Sequence, residues 1–350
     1  MALAACLVLW SAILGAVVIG RDGCRVTLST PRPDAGVPRA PDSGVDASYP
    51  IPSQLEQIAW PEPPRIEREI EVSDTQQLIL AVGQSGTHAR VSGRHDAQVF
   101  VRASDFVLDL DDHAYVQRVY VEQGVERVVL RGGTVGSIEL AAPIDVGAAE
   151  PAVREELWVR DVRIERMRVG RSPDPLVLRG QRVALVDVYA RGDRHAVWFD
   201  DTLGVGSADV TIASCRLDSD GFAPTVELRD VARAIVIDSR LANLVLPTLD
   251  VGGRSGSVFV GRTVFAGMGA RVGVAPDDQI ERACFGGNAF HHQTGSTLEV
   301  GLTQVETLIA NGNRVFTDGR SELSDGYPGA PAHWQVAGNV VAPYVAPPAD

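Results

Sequence analysis

One short pattern returns along most of this chain, about every 26 residues: an apolar segment, a small or polar corner, then a further apolar residue. The segments read VERVVLRGGTV, EELWVRDVRI, RVALVDVY, ADVTIASCRL, ARAIVIDSRL, GSVFVGRTVF, IERACFGGNAF, VETLIANGNRVF and HWQVAGNVV. They end on Val135, Ile164, Tyr189, Leu217, Leu241, Phe265, Phe290, Phe316 and Val341. A repeat of this length cannot bury its apolar face alone, so it stacks on its neighbours as a solenoid.

A second short strand follows the corner. It reads Thr225-Val226-Glu227-Leu228, Thr248-Leu249-Asp250-Val251 and Thr297-Leu298-Glu299-Val300, with Ser137-Ile138-Glu139-Leu140 earlier. Pro175–Leu178, Ala196–Phe199 and Arg271–Val274 fill the intervening coils more loosely. Strict alternation marks half-buried strands, which places Val226 and Leu228 inside and Thr225 and Glu227 outside. Strands this short, with no helical period between them, exclude a βαβ crossover fold. A β-sandwich is the competing reading, but its turn signals come every 8–12 residues without a longer shared period.

With these coils the chain resembles the pectin-lyase-like superfamily of right-handed parallel β-helices, over roughly Ile70 to Val341. The resemblance implies an all-β, right-handed parallel β-helix solenoid over 105–350, about nine coils long, behind an N-terminal cap over 66–104. Glu71–Val82 looks like the helix that closes the N-terminal end of such solenoids. Ser73 and Gln76 have capping-box spacing, and Leu78, Ala81 and Val82 supply an apolar face. Phe106–His113 resembles the family's early strand, with Asp112 where Gly is usual.

The first 20 residues read as a signal peptide or N-terminal membrane anchor, being almost unbroken apolar sequence from Ala2 to Gly20. Residues 21–65 are rich in Pro, Asp, Ala and Gly, as expected of an extended spacer. Together these predict an extracytoplasmic protein that meets a membrane only through its N-terminal segment. The net charge of −13 argues against nucleic acid as a partner. All 32 cationic residues are Arg, which removes lysine chemistry. Four cysteines, Cys6, Cys24, Cys215 and Cys284, form no metal-binding pair, and the last two read as small buried side chains. A monomer is expected.

The strongest chemical constellation is an outward acidic column: Glu227, Asp250 and Glu299 share one register position, and Asp200 falls one place beyond it, followed by Asp201. Adjacent coils put Glu227 and Asp250 about 4.8 Å apart. Like charges that close raise one carboxyl pKa or attract a cation, so Ca²⁺ is a candidate ligand of this pair. Asp200, Asp201, Glu227 and Asp250 are also the candidate catalytic carboxylates of a glycoside hydrolase or polysaccharide lyase. Arg194, His195, Trp198 and Tyr189 are the candidate sugar-binding residues beside them. Of the polygalacturonase-type motifs in the resembled family, only Asp200-Asp201 has a counterpart here, and the Arg-x-Pro-x-x-Arg element of pectate lyases is missing.

Other clusters read as structural. Asp109, Asp111 and Asp112 with His113 mark an edge or turn. His291-His292 sits at a corner. Asn288, Asn313 and Asn339 recur at one place as an asparagine ladder. The functional expectation is a cell-surface β-helix that contacts polysaccharide; the alternative is a structural or adhesive solenoid without catalysis.

Overall fold

The computed structural model describes residues 58–142, 159–199 and 208–347. The apolar segment 1–20, the spacer up to residue 57, and Asp200 and Asp201 lie outside the described residues. What is described is an all-β parallel solenoid with few helices.

Its strands stack in three columns, and every pairing between coils is parallel. In the first column one inward position runs Ile70, Ala89, Leu108, Leu130, Ile164, Leu185, Ile212, Val236, Val260, Phe285, Ala310 and Val336. From Leu108 to Val336 that path makes about nine turns. Strands Arg68–Val72 and Thr87–Val91 add two more coils in front, within the stretch expected to be only a cap. We number coils from Arg68–Val72, so that Leu108 lies in the third.

The second column carries His95, Val116, Val135, Val169, Ala190, Leu217, Leu241, Phe265, Phe290, Val315 and Val341. Three expected corner residues therefore shift. Ile164 belongs to the first column and Val169 takes its place, Tyr189 gives way to Ala190, and Phe316 to Val315. A slip of one residue moves a side chain to the opposite face. Tyr189 and Phe316 consequently face outward, where their partners are Arg216 and His291.

The third column carries Val99, Val119, Ile138, Leu176, Val197, Val226, Leu249, Ala270 and Leu298. Apart from His95 and the exposed terminal Val341, these three inward lines form one continuous apolar core. Fully burying each large member stabilises the fold by about 1.5–3 kcal/mol. Phe265 and Phe290 stack at 4.4 Å along the axis.

Polar side chains buried with the core satisfy the backbone at corners. Asn288 Nδ2 donates to Asn313 Oδ1 at 2.9 Å, and Asn313 Nδ2 to Asn339 Oδ1 at 2.9 Å. The ladder continues backwards with shorter side chains, Thr263, Ser239 and Cys215, at the same corner. Cys215 and Cys284 are both buried, and neither forms a disulfide among the described residues. Burial pushes the Cys215 thiol up to about 12, so it is inert. Thr225, expected on the outer face, is not exposed, and its counterparts in other coils are not either. Thr225, Thr248 and Thr297 are fully buried. Thr225 donates to Ala242 O at 2.8 Å and Thr248 to Gly269 O at 3.1 Å, so each ties its coil to the next.

A helix spans Thr75–Ala81, with Leu78 and Ala81 buried in the core cluster. Its N-cap is Asp74, not Ser73: Asp74 accepts from Gln77 N, and Ser73 N donates to Gln77 Oε1 at 3.0 Å. The capping pair lies one residue later than its spacing suggested, and Gln77 reaches back to the N–H of Ser73 and not to that of the N-cap itself.

The end of the expected spacer is part of the fold. Arg65 N, Glu62 N and Ala59 N donate to Asp105, Asp161 and Asp209, each at 2.9 Å. This strap runs along the axis on the outer face of the first column.

Candidate functional site

The outward position of the third column reads Phe100, Tyr120, Glu139, Val177, Trp198, Glu227, Asp250, Arg271 and Glu299. Glu227 and Asp250 are direct neighbours in register. Arg271 separates Asp250 from Glu299, so the acidic column is interrupted by a cation.

Further cations divide the remaining carboxylates. Arg229 lies two residues after Glu227 on the same strand. Its Nε donates to Glu227 at 2.9 Å, and its two other nitrogens reach Asp250 at 3.1 Å and Asp278 at 3.4 Å. Arg271 Nε donates to the other oxygen of Asp250 at 3.2 Å. The guanidinium of Arg229 crosses directly over Gly252 in the next coil. A Cβ at Gly252 would lie 1.7 Å from Arg229 Nη1, so only glycine permits this path.

On the other side of Glu227 is His195, 4% exposed. His195 Nε2 meets Glu227 Oε2 at 2.8 Å, and its Nδ1 meets Asp174 Oδ1 at 2.8 Å. A ring held between two carboxylates donates from both nitrogens, which requires the imidazolium. Burial works against that charge, but the hydrogen bonds His195 donates to Glu227 and Asp174 outweigh it and raise the His195 pKa. Burial likewise pushes the Glu227 carboxyl up. His195 and Arg229 outweigh that effect and bring it down to about 2. The like-charge effect expected for the Glu227–Asp250 pair is thus overridden by cations that spacing did not reveal.

The aromatic candidates are engaged too. Trp198 faces outward, half-buried, with the His195 ring stacked at 5.8 Å and the Arg179 guanidinium at 5.9 Å. Tyr189 lies under Arg216 at 5.6 Å, on the second column. Arg194 is exposed and pairs with Asp174 at 3.5 Å. The structure therefore brings together His195, Trp198, Glu227 and Asp250, and leaves Tyr189 on another face.

Calcium needs six to eight oxygens. With Arg229 between them, Glu227 and Asp250 do not present a shared set of free oxygens, so the pair as it stands does not fit the ion. Among the described residues no group of three or more His, Cys, Asp or Glu side chains is placed to hold a metal. Asp109 is spoken for as well. Burial raises its pKa, but hydrogen bonds from His88 and Arg131 override that and hold it well below the usual carboxylate range.

The Asp174–His195–Glu227 unit makes a pH prediction. Glu227 has a depressed pKa, so its stabilisation is present above the ordinary glutamate value and lost as pH falls towards about 2. His195 has a raised pKa, so its stabilisation is complete below the ordinary histidine value and lost as pH rises through the elevated one. The stability difference between the native protein and His195→Gln should therefore peak at roughly pH 4.5–6.5 and fall on both sides. Urea unfolding across that range measures it, and a flat difference would contradict the ionised triad.

Sequence spacing missed a groove on the second column. It encloses about 640 Å³ and is lined by Arg191, Arg216, Arg240, Asp218, Asp220 and Asn243, with Tyr344 and Pro347 at its far end. Arg216 and Arg240 both reach Asp218, at 3.4 and 3.3 Å, and Arg191 holds Asp220 at 2.8 Å. Leu244, at 87% exposure, stands on its wall. One turn away, Phe222 is 80% exposed. A signal was available: Arg216-Leu217 and Arg240-Leu241 repeat an arginine before the same corner residue. In comparisons with known proteins, no family model, no curated protein and no solved structure matches this chain.

Proposed function

We propose that this protein is an extracytoplasmic, right-handed, pectin-lyase-like β-helix that binds polysaccharide along its outer surface, at the groove of the second column. The helix Thr75–Ala81 acts in this reading as the cap that covers the start of the core. One observation carries the proposal: the groove runs across successive coils and is lined by planar groups suited to hydroxyl and carboxylate recognition. Three arginines against two aspartates give it a local positive balance on a chain of net charge −13. That favours an anionic glycan, since Arg pairs with carboxylate in a two-pronged geometry. Phe222 and Leu244 offer apolar surface for a sugar face.

The acidic face of the third column supports a different role. Its charges are consumed by each other, which favours the reading of a rigid structural flank beside the groove. Catalysis by Glu227 and Asp250 would require a carboxyl able to give up or take a proton near neutral pH, and Glu227 is held at about 2.

A panel of neutral, uronate-bearing and sulfated polysaccharides tests this, read by binding and by new reducing or unsaturated ends. Binding to an anionic glycan, weakened at least about tenfold by Arg216→Ala with Arg240→Ala, is the expected result; two lost charge-assisted contacts account for that factor. No binding to any polymer in the panel leaves the structural solenoid as the function.

A further inference from the structure

The groove of the second column is stopped at one end and continues at the other. One outward position, the residue after each inward one, runs along its floor. It carries Arg191 and Asp218 in the sixth and seventh coils, Ala242 and Ala266 in the next two, then His291 and Phe316. The two alanines leave a trough. Leu244 and Met268 line it on one side, and Arg216 and Arg240 on the other.

Towards the N-terminal coils no side chain rises from this row. The positions before Arg191 are Gly170 and Gly136. Their backbones lie against each other: a Cβ at Gly170 would stand 3.4 Å from Gly136 Cα.

Towards the C-terminal coils the trough is filled. Ala342 holds the row in the twelfth coil, beside Phe316. The chain then turns back along the axis. Tyr344 N donates to Asp318 Oδ1 at 3.1 Å in the eleventh coil, and His291 Nδ1 in the tenth donates to Val345 O at 2.8 Å. From Ala342 to Val345, three residues retrace two coils. Two coils measure about 9.6 Å, so this tail is extended, at about 3.2 Å per residue. His291 and Phe316 stack at 4.5 Å beneath it. Tyr344 and Pro347 then close the end of the groove. Gln293 and Thr294, both exposed and uncharged, lie at this closed end. The charged lining, from Arg191 to Arg240, begins two coils away.

We propose that the groove takes the end of an anionic glycan chain and not an internal stretch. This rests on the glycan-binding reading of the groove. The tail lies lengthwise on the row as an extended polymer does, and it bars a second chain from passing beyond the tenth coil. The terminal sugar lies over Ala266, against Tyr344. A chain end carries a free hydroxyl where an internal sugar carries a glycosidic bond. Gln293 and Thr294 offer the donors and acceptors that such a hydroxyl needs. The acidic groups of the following sugars meet Arg240, Arg216 and Arg191 in turn, and the rest of the chain leaves over Gly170 and Gly136.

Counting protein per glycan chain tests this. Polygalacturonate, alginate and chondroitin sulfate, each separated into short and long fractions, are titrated with the full-length protein by calorimetry. Any of them that binds should take up the same number of proteins per chain in both fractions, with one affinity per chain. A count that rises with chain length overturns the proposal and leaves glycan binding standing. No binding to any fraction removes the glycan-binding reading itself, and this inference with it. Gln293→Ala combined with Thr294→Ala should weaken binding roughly tenfold for short and long fractions alike, since two hydrogen bonds are lost. An unchanged affinity in that variant overturns the proposal as well.

Discussion

Replacing Arg229 with methionine should destabilise the protein by about 3–5 kcal/mol, the range for removing one partner of a buried ion pair. The side-chain stem keeps its packing, so the loss reports the charge. Three carboxylates depend on that guanidinium. Asp250 and Asp278 are 3% and 5% exposed, and neither can turn to water. Asp278 retains the N–H groups of Gly253 and Ala275, at 2.7 and 2.9 Å. Glu227 retains His195, and Asp250 retains Arg271. The excess negative charge should then seek a cation. In Arg229→Met, and not in the native protein, millimolar Ca²⁺ should raise the melting temperature. Thermal unfolding with and without EDTA measures both effects. Equal calcium responses in the two proteins would show that Arg229 does not neutralise the Glu227–Asp250 pair.

Asn313→Leu should be about as damaging, at roughly 3–5 kcal/mol, because several buried groups lose partners together. Asn313 is fully buried. It donates to Phe285 O at 3.1 Å and to Asn339, and its Oδ1 accepts from both the backbone and side chain of Asn288. Leucine matches its bulk but satisfies none of these. Asn339→Ala, at the half-exposed end of the ladder, should cost less, about 1–3 kcal/mol: it strands the N–H and amide of Asn313, but the smaller side chain opens a half-exposed position where water replaces the lost oxygen. Urea unfolding of the two variants gives the comparison, and similar losses would mean the ladder contributes no cooperative support.

Much of the architecture was legible because a solenoid writes its period into the chain. The third column was read in correct register from its alternation over most coils, down to the Glu227–Asp250 pairing, but Arg271–Val274 was set two residues late: Ala270 pairs with Leu249, and Arg271 with Asp250. The second column was read less well at Ile164, Tyr189 and Phe316. There apolar residues occupy both faces of the strand, so alternation no longer says which one is inside. The threonines misled for a similar reason: a hydroxyl next to a strand reads as exposed, but Thr225 and Thr248 are buried and bonded to carbonyls of the next coil.

The site was legible in part. Its acidic members stood out because they repeat at one register position. Their neutralisation did not, since Arg229 reaches the next coil only across Gly252, and Asp174 meets His195 from a turn one coil earlier. The strap escaped notice because proline-rich composition signals extension, and extension alone does not say whether a surface awaits it. Asp105, Asp161 and Asp209 are far apart in sequence, and their common stride exists only once the coils are stacked.

The sequence by itself determined the repeat, the parallel stacking and the identity of most inward residues, because hydrophobic burial acts on each coil in the same way. Only the tertiary structure decided the state of the outward charges. An isolated column of Glu227, Asp250 and Glu299 suggests a cation or a catalytic pair. Stacked between His195, Arg229 and Arg271, it is a neutralised flank. Charge interactions depend on distances between side chains from different coils, and those distances are fixed by glycines, turns and register rather than by spacing along the chain.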